Sequence, residues 1–350
     1  MGKVRRRASW IIDNFLLQSN APVLETLHLS LLGIYEDEPE VYENWVKAAV
    51  ARHVRDLELV HLYPQPFPRI LYTCQTLVAL RLQQVFIVDV PSTACFRFLK
   101  DLSLLRFCFS SSETFSRFLS ACPNLETLMV RRWGDNNLNT FKIDVPSLKS
   151  LRVYLHQTGL SKEKYKNYCG FVISAPSLKT LKIDANSSEI CSVSNMPELV
   201  KAEINLKNGD SKLLGCLSSA KHLTLCLELN LDGYLTSDFN QLVSLELCTI
   251  CSLDWICLIL KHTPKLRALK LRQICYGSFR DLGNRWEKPS CVPECLISSL
   301  ETVEWDGYQG KGVERHVAIY ILENAKRLKT VAIIPSESIM FEEKLKMVII

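Results

Sequence analysis

One phrase, with large apolar residues at its first, fourth and sixth positions, recurs about thirteen times along 350 residues and dictates what they can fold into. It reads LETLHL at Leu24, VRDLEL at Val54, LVALRL at Leu77, LKDLSL at Leu99, LETLMV at Leu125, LKSLRV at Leu148 and LKTLKI at Leu178. Looser copies follow: LVKAEI at Leu199, AKHLTL at Ala220, LVSLEL at Leu242, LRALKL at Leu266, LETVEW at Leu300 and LKTVAI at Leu328. Successive starts lie 21 to 34 residues apart, about 25 on average. Self-similarity at such a period means stacked supersecondary units, each burying its apolar face only on its neighbours. Side chains alternate along an extended strand, so positions four and six share one side, and positions three, five and seven share the other.

This is the leucine-rich-repeat period, and the expected fold is an α/β solenoid, a horseshoe with a parallel concave sheet. Leu27 and Leu29, Leu57 and Leu59, Leu80 and Leu82, Leu151 and Val153, Leu181 and Ile183, Leu245 and Leu247, and Leu269 and Leu271 are the expected buried stack. A charge within it, as in Leu181→Asp, is expected to cost several kcal/mol. Proline stands two residues before the first leucine at Pro22, Pro123, Pro146, Pro176, Pro197 and Pro264, ending the preceding element and admitting an extended strand. Between strands, Phe115, Phe118, Leu119 and Cys122 have helical spacing behind the potential caps Ser110 to Ser112. Leu253, Ile256, Cys257 and Leu260 do the same behind Ser252, and Val41, Trp45, Ala49 and Val50 follow Pro39. These helices belong on the convex side, with their aromatic and sulfur residues in the core.

Composition excludes several classes. With 47% hydrophobic residues the chain can fill a long core, yet no apolar run approaches the roughly 18 residues of a membrane span. The net charge of +5 is concentrated at the first residues (Lys3, Arg5, Arg6, Arg7), so neither nucleic acid nor membrane is an expected partner. The string from Lys3 also has the look of a short import signal or a solvated terminus. Fourteen cysteines scattered over apolar positions read as reduced thiols. Neither Cys248, Cys251 and Cys257 nor Cys291 and Cys295 has zinc spacing. GxSxG, P-loop, GxGxxG and HExxH phrases are missing, so no enzyme, cofactor or metal is expected.

What remains is a surface. Positions three, five and seven line the concave face, position five reads as mixed charges without a constellation, and Arg81, Met129, Arg131, Arg152, Tyr154 and Lys182 at positions five and seven are the candidate protein-binding residues. Arg131, Arg152 and Lys182 could join as a basic patch for an acidic segment of a partner, or simply solvate the sheet. The long interval after Leu148 carries Lys162, Lys164, Tyr165, Lys166 and Tyr168, an insertion of the kind that often bears recognition.

The segment WEKPSCVPECLISSLETVEWDGYQGKGVERHVAIYILENAKRLKTVAI, from Trp286 to Ile333, closely resembles the FBD domain of plant F-box/leucine-rich-repeat proteins. Trp286, Pro293, Glu294, Cys295, Trp305 and Tyr308 are among the matched positions, and NAPVLETLHL, LVSLELC and HTPKLRALKL look like the family's repeats. The resemblance implies a lead-in at 1–20, a repeat array at 21–276 and, at 277–350, an FBD domain acting as an α/β cap in which Val313, Val317, Tyr320 and Ile321 share a helix face. It also implies the substrate-recognition half of an F-box ubiquitin-ligase receptor, cytoplasmic or nuclear, holding a protein on its concave face or loops. The family's LPDDLLxxILSxLP phrase is missing from these 350 residues, so the ligase adaptor is an expected partner only if an F-box lies upstream. The alternative is a truncated gene product or decaying paralogue with no independent function.

Overall fold

A computed structural model describes residues 12, 14–16, 21–32, 39–132, 140–155, 170–185, 190–209, 211–229, 237–253, 255–272, 286, 288–310 and 312–336. The basic string at Lys3 and the insertion bearing Lys162 to Tyr168 lie outside these residues. The chain divides into two compact units, Met1–Leu178 with Glu189–Ser192, and Lys179–Ser188 with Val193–Ile350.

In the first unit the recurring phrase becomes β1 (Thr26–Leu31), β2 (Asp56–Pro66), β3 (Ala79–Ile87), β4 (Asp101–Leu105), β6 (Thr127–Arg132) and β8 (Ser150–Leu155), parallel neighbours in that order. Register follows the phrase position by position. Leu27, Leu57, Leu80, Leu102, Leu128 and Leu151 align, all at most 7% exposed. The second unit repeats this in β10 (Thr180–Ala185), β12 (Lys201–Gly209), β13 (His222–Leu229), β14 (Ser244–Cys248), β15 (Ala268–Arg272), β16 (Thr302–Tyr308) and β17 (Thr330–Pro335). There Leu181, Ala202, Leu223, Leu245, Leu269 and Val303 align and are buried.

Two backbone devices hold this register. The carbonyl of position two accepts from both the second and third amides of the next copy: Glu25 from Arg55 and Asp56, Lys100 from Glu126 and Thr127, Lys221 from Val243 and Ser244. Ahead of it, the amide of position one donates to the carbonyl three residues back, as in Leu148 to Val145, Leu178 to Ala175 and Leu266 to Thr263. Pro146, Pro176 and Pro264 therefore occupy the second residue of a tight turn, where a φ near −65° is already set.

The other side of the first unit mixes helix and strand. In α1 (Pro39–Ala51) the buried stripe is Tyr42, Trp45, Val46 and Ala49, while Val50 is half-buried. The helical face is thus rotated from the expected one, and the Val41 side chain is outside the described residues. A short 3-10 turn, Arg69–Thr73, and the two-residue β5 (Cys108–Phe109) come next. In α2 (Ser112–Ser120), Ser111 caps the helix by accepting from the Thr114 amide at 3.1 Å, and Phe115, Phe118, Leu119 and Cys122 are all buried.

Beyond it, in segments with no expected element, β7 (Thr140–Asp144) and β9 (Gly170–Ser174) form a second parallel sheet, joined at its far edge by β11 (Ile190–Val193). The reason is local. FKID and FVIS alternate with period two, so Phe141 and Phe171 align and bury together, as do Ile143 and Ile173. Phe141 meets Phe171 at 5.3 Å and Phe115 at 4.8 Å, and Phe107, Phe109 and Phe118 extend the cluster.

The second unit carries α3 (Ser211–Cys216), α4 (Thr249–Ser252), α5 (Ile256–Lys261), α6 (Glu294–Ser298) and α7 (Gly312–Asn324). The helix expected behind Ser252 begins only at Ile256, after the separate short α4 that ends at Ser252, and Trp255, 1% exposed in the core, stands at its N-cap position. In the last repeat but one, Gly307 takes φ +79° at an irregularity between β16 and β17, which seats Tyr308 against Trp305 at 5.1 Å. Glu314 then accepts from the Gln309 and Gly310 amides at 2.8 and 3.0 Å, and α7 buries Val317, Tyr320 and Ile321. On β17, Val331 and Ile333 are 45% and 40% exposed, so this strand does not bury the face its predecessors bury.

One core position of the first unit is histidine. His61 on β2 is 4% exposed, edge-on to Tyr42 at 4.7 Å, and its Nε2 and the Tyr42 hydroxyl have no hydrogen-bond partner among the described residues. Burial pushes the His61 pKa down to about 4, below the ordinary 6.5. The unfolded chain therefore binds the extra proton first. His61's contribution is complete above pH 6.5 and falls as pH drops toward 4, by about 3 kcal/mol over that window. Urea unfolding of wild type and His61→Leu at pH 7 and pH 4.5 should show the variant losing less stability on acidification; equal losses would refute a buried neutral ring.

Candidate protein-binding surface

Positions three, five and seven line the open face of each sheet, and most of their charges neutralise one another. In the first unit, Arg81 meets Asp56 at 2.6 Å, and His28 lies 3.6 Å from Asp56 and 3.5 Å from Glu58. In the second, Lys182 and Lys201 reach Glu203 at 2.7 and 2.9 Å, Lys270 reaches Glu304 at 2.5 Å, Arg272 pairs with Glu246, and Asn205 donates to Asp184 at 2.9 Å. Hydrogen bonds from Lys182 and Lys201 hold the Glu203 carboxyl below the usual range. Half-exposed pairs of this kind contribute only about 0.2 to 1 kcal/mol each, so the ladders chiefly remove net charge from the face.

Strands β6 and β8 break the pattern. Met129 aligns with Arg152, and Arg131 with Tyr154. Arg131 lies over the Tyr154 ring at 5.9 Å, a cation–π contact. Arg152 is exposed and has no ion-pair or hydrogen-bond partner among the described residues. Beside them on β4, Ser103 is 4% exposed with an unpartnered hydroxyl. Met129, Arg131, Arg152 and Tyr154 thus come together as an amphipathic cationic patch. Arg81 is tied into the adjacent ladder, and Lys182 belongs to the second unit, where Glu203 neutralises it.

A second feature was not anticipated from sequence. At the starting ends of β4, β6 and β8 lies a groove of about 390 Å³, lined by Arg97, Phe98, Lys100, Asn124, Glu126 and Lys149 among others. Lys100, Glu126 and Lys149 stand at position two and Arg97, Phe98 and Asn124 ahead of position one, outside the three apolar positions of the phrase, and only the stacking in register lines them up.

The C-terminal signature residues are packed. Pro293, Cys295, Trp305 and Tyr308 are buried, Trp286 is half-buried against Tyr320 at 5.6 Å, and Glu294 is exposed. The Cys295 thiol donates to the Leu260 carbonyl at 3.3 Å, and burial pushes its pKa up to about 11. No disulfide occurs among the described residues, and no three His, Cys, Asp or Glu among them are grouped to hold a metal ion. No helix among them is long and apolar enough to cross a membrane.

Comparison with known proteins agrees with this architecture. Residues 287–333 match the FBD family, and residues 42–200 match the family described as FBD-associated F-box protein At5g56370, LRR repeats. An FBD-associated F-box protein of Arabidopsis thaliana is 48% identical over 362 residues, spanning 97% of this chain and 82% of its own length. An F-box/FBD/LRR-repeat protein of the same plant is 36% identical over 97% of this chain and 81% of its own length. With identities of this order over nearly the whole chain, and with both repeat and FBD matches falling on in-register strands, the chain belongs to the F-box/FBD/LRR-repeat family of FBD-associated F-box proteins.

Proposed function

We propose that this chain is the substrate-recognition part of an F-box ubiquitin-ligase receptor, and that it holds a partner protein on the open face of β4, β6 and β8. The observation that carries this reading is the local failure of charge pairing. Ion pairs neutralise the other charged ladders, whereas Arg152 stands unpaired beside Arg131, Tyr154 and Met129. Arg and Tyr, here two exposed arginines beside a half-buried tyrosine, are among the residue types that dominate binding energy at protein interfaces. Membership of the F-box/FBD/LRR-repeat family supports the coupling to ubiquitination, which relatives would achieve through the F-box their names record.

The test is affinity capture from plant extract with the wild-type chain and with Arg131→Glu/Arg152→Glu, both shown to be folded by circular dichroism. Wild type should retain a specific protein that the double variant loses; equal retention would overturn the site. These 350 residues should not retain the ligase adaptor directly, because no F-box phrase occurs in them. Submicromolar binding of purified adaptor would overturn that assignment.

A further inference from the structure

The groove at the starting ends of β4, β6 and β8 lies on the same three strands as the proposed patch. Lys100, Glu126 and Lys149 are the position-two residues of consecutive copies. Glu126 accepts from Lys149 at 2.8 Å and Lys100 at 3.1 Å, so one carboxylate is shared by two ammonium groups. Arg97 adds a third cation, with its guanidinium 5.9 Å from the ring centroid of Phe98, a residue 53% exposed. The Asn124 amide donates to the Arg97 carbonyl at 2.8 Å and ties these two lining residues together. Three cations against one carboxylate leave the groove positive, with an aromatic wall. Its volume of about 390 Å³ has room for a few side chains, not a folded domain.

From Lys149 the chain enters β8 and runs through Arg152 to Tyr154. Five residues of extended chain rise about 17 Å, so a bound peptide of that length reaches from the groove to the patch. Asp101 and Glu126 are the carboxylates of groove and patch, against Arg97, Lys100, Arg131, Lys149 and Arg152.

We propose that this groove is a docking site for an acidic, extended polypeptide segment of the partner, whose carboxylate displaces Glu126 between Lys100 and Lys149 and whose chain continues along β8 to Arg152. This rests on the reading of the β6–β8 patch as the partner-binding face. Glu126 is the resident stand-in for the ligand's carboxylate, and charge complementarity selects an acidic chain over a neutral one. An extended chain is the form that reaches from groove to patch.

The probe is a fluorescein-labelled oligoglutamate of about ten residues, long enough to span groove and patch, followed by fluorescence anisotropy at low salt. Lys100→Glu/Lys149→Glu should weaken binding by about tenfold or more, and Glu126→Gln should tighten it by about threefold, since the internal competitor is removed. Phe98→Ala, at an exposed site that leaves folding intact, should weaken it. Lys221→Glu, an exposed strand-start lysine of the second unit, should leave it unchanged. Unchanged or weaker binding by Glu126→Gln overturns the groove. Loss of binding on Arg131→Glu/Arg152→Glu with no effect of the groove variants would leave the patch standing and sink this proposal alone. No effect of either set sinks both. A single-stranded oligothymidylate of equal charge binding as tightly would replace the acidic polypeptide with nucleic acid.

Discussion

Leu128→Asp should abolish the cooperative unfolding transition of the first unit, whereas Met129→Asp, one residue further along β6, should change its stability by no more than about 1 kcal/mol. Leu128 is 0% exposed and sits in register between Leu102 and Leu151, so its side chain has only apolar neighbours in the stack. Removing those contacts alone costs about 2 to 5 kcal/mol, as Leu128→Ala would show. An aspartate adds the cost of a buried carboxyl without a partner, and the total is comparable with the 5 to 15 kcal/mol that hold a typical domain together. Met129 points to the open face, where a charge is solvated. The pair therefore tests register directly, since a slip of one residue would exchange the two outcomes. Near-UV circular dichroism and urea titration of both variants are the measurement. A Leu128→Asp protein that still unfolds cooperatively within about 1 kcal/mol of wild type would refute the stack. Leu181→Asp should behave likewise in the second unit, since Leu181 is 2% exposed beside Ala202.

Much of this architecture was legible because the phrase ties backbone and core together. Every copy became a strand, and in all but the last, β17, positions four and six went inside, because alternation leaves an apolar pair no other choice beside a neighbour of the same pattern. Three things were not legible. The doubly accepting carbonyl at position two is a backbone feature that leaves no trace in residue identity. The second sheet was missed because FKID and FVIS are short alternating runs that adjoin repeat strands, and only their mutual alignment reveals a sheet. The candidate surface was half legible. Alternation told which residues face outward, but whether a charge is neutralised depends on its cross-strand neighbour, so Lys182 and Arg152 looked alike until Glu203 was found beside the first. The groove depended on residues outside the three apolar positions, where the repeat imposes no pattern, and Lys100, Glu126 and Lys149 became a unit only by stacking.

The second sheet has its own expected result. Phe115→Ala should cost the first unit about 3 to 5 kcal/mol, because Phe115 is 0% exposed and packs against Phe109 at 5.1 Å and Phe141 at 4.8 Å. Phe141→Ala removes the same contact from the other side. The double variant should be less destabilised than the sum of the singles by about 1 kcal/mol, the coupling expected of aromatic rings in edge contact. Guanidinium titrations of the four proteins at constant m-value measure it. Additivity within about 0.3 kcal/mol would mean that α2 and β7 are energetically independent. Coupling bears on recognition, since β7 follows β6 and β9 follows β8 in the chain, and the two halves of this sheet are tied by the Val145 amide donating to the Ser174 carbonyl at 3.1 Å. A sheet that stiffens the back of these two copies also fixes Arg131 and Arg152 on their fronts. Phe115→Ala should therefore speed hydrogen exchange at the β6 and β8 amides ahead of those in β1 and β2, and a uniform acceleration across the first unit would show that the second sheet gives the patch no particular rigidity.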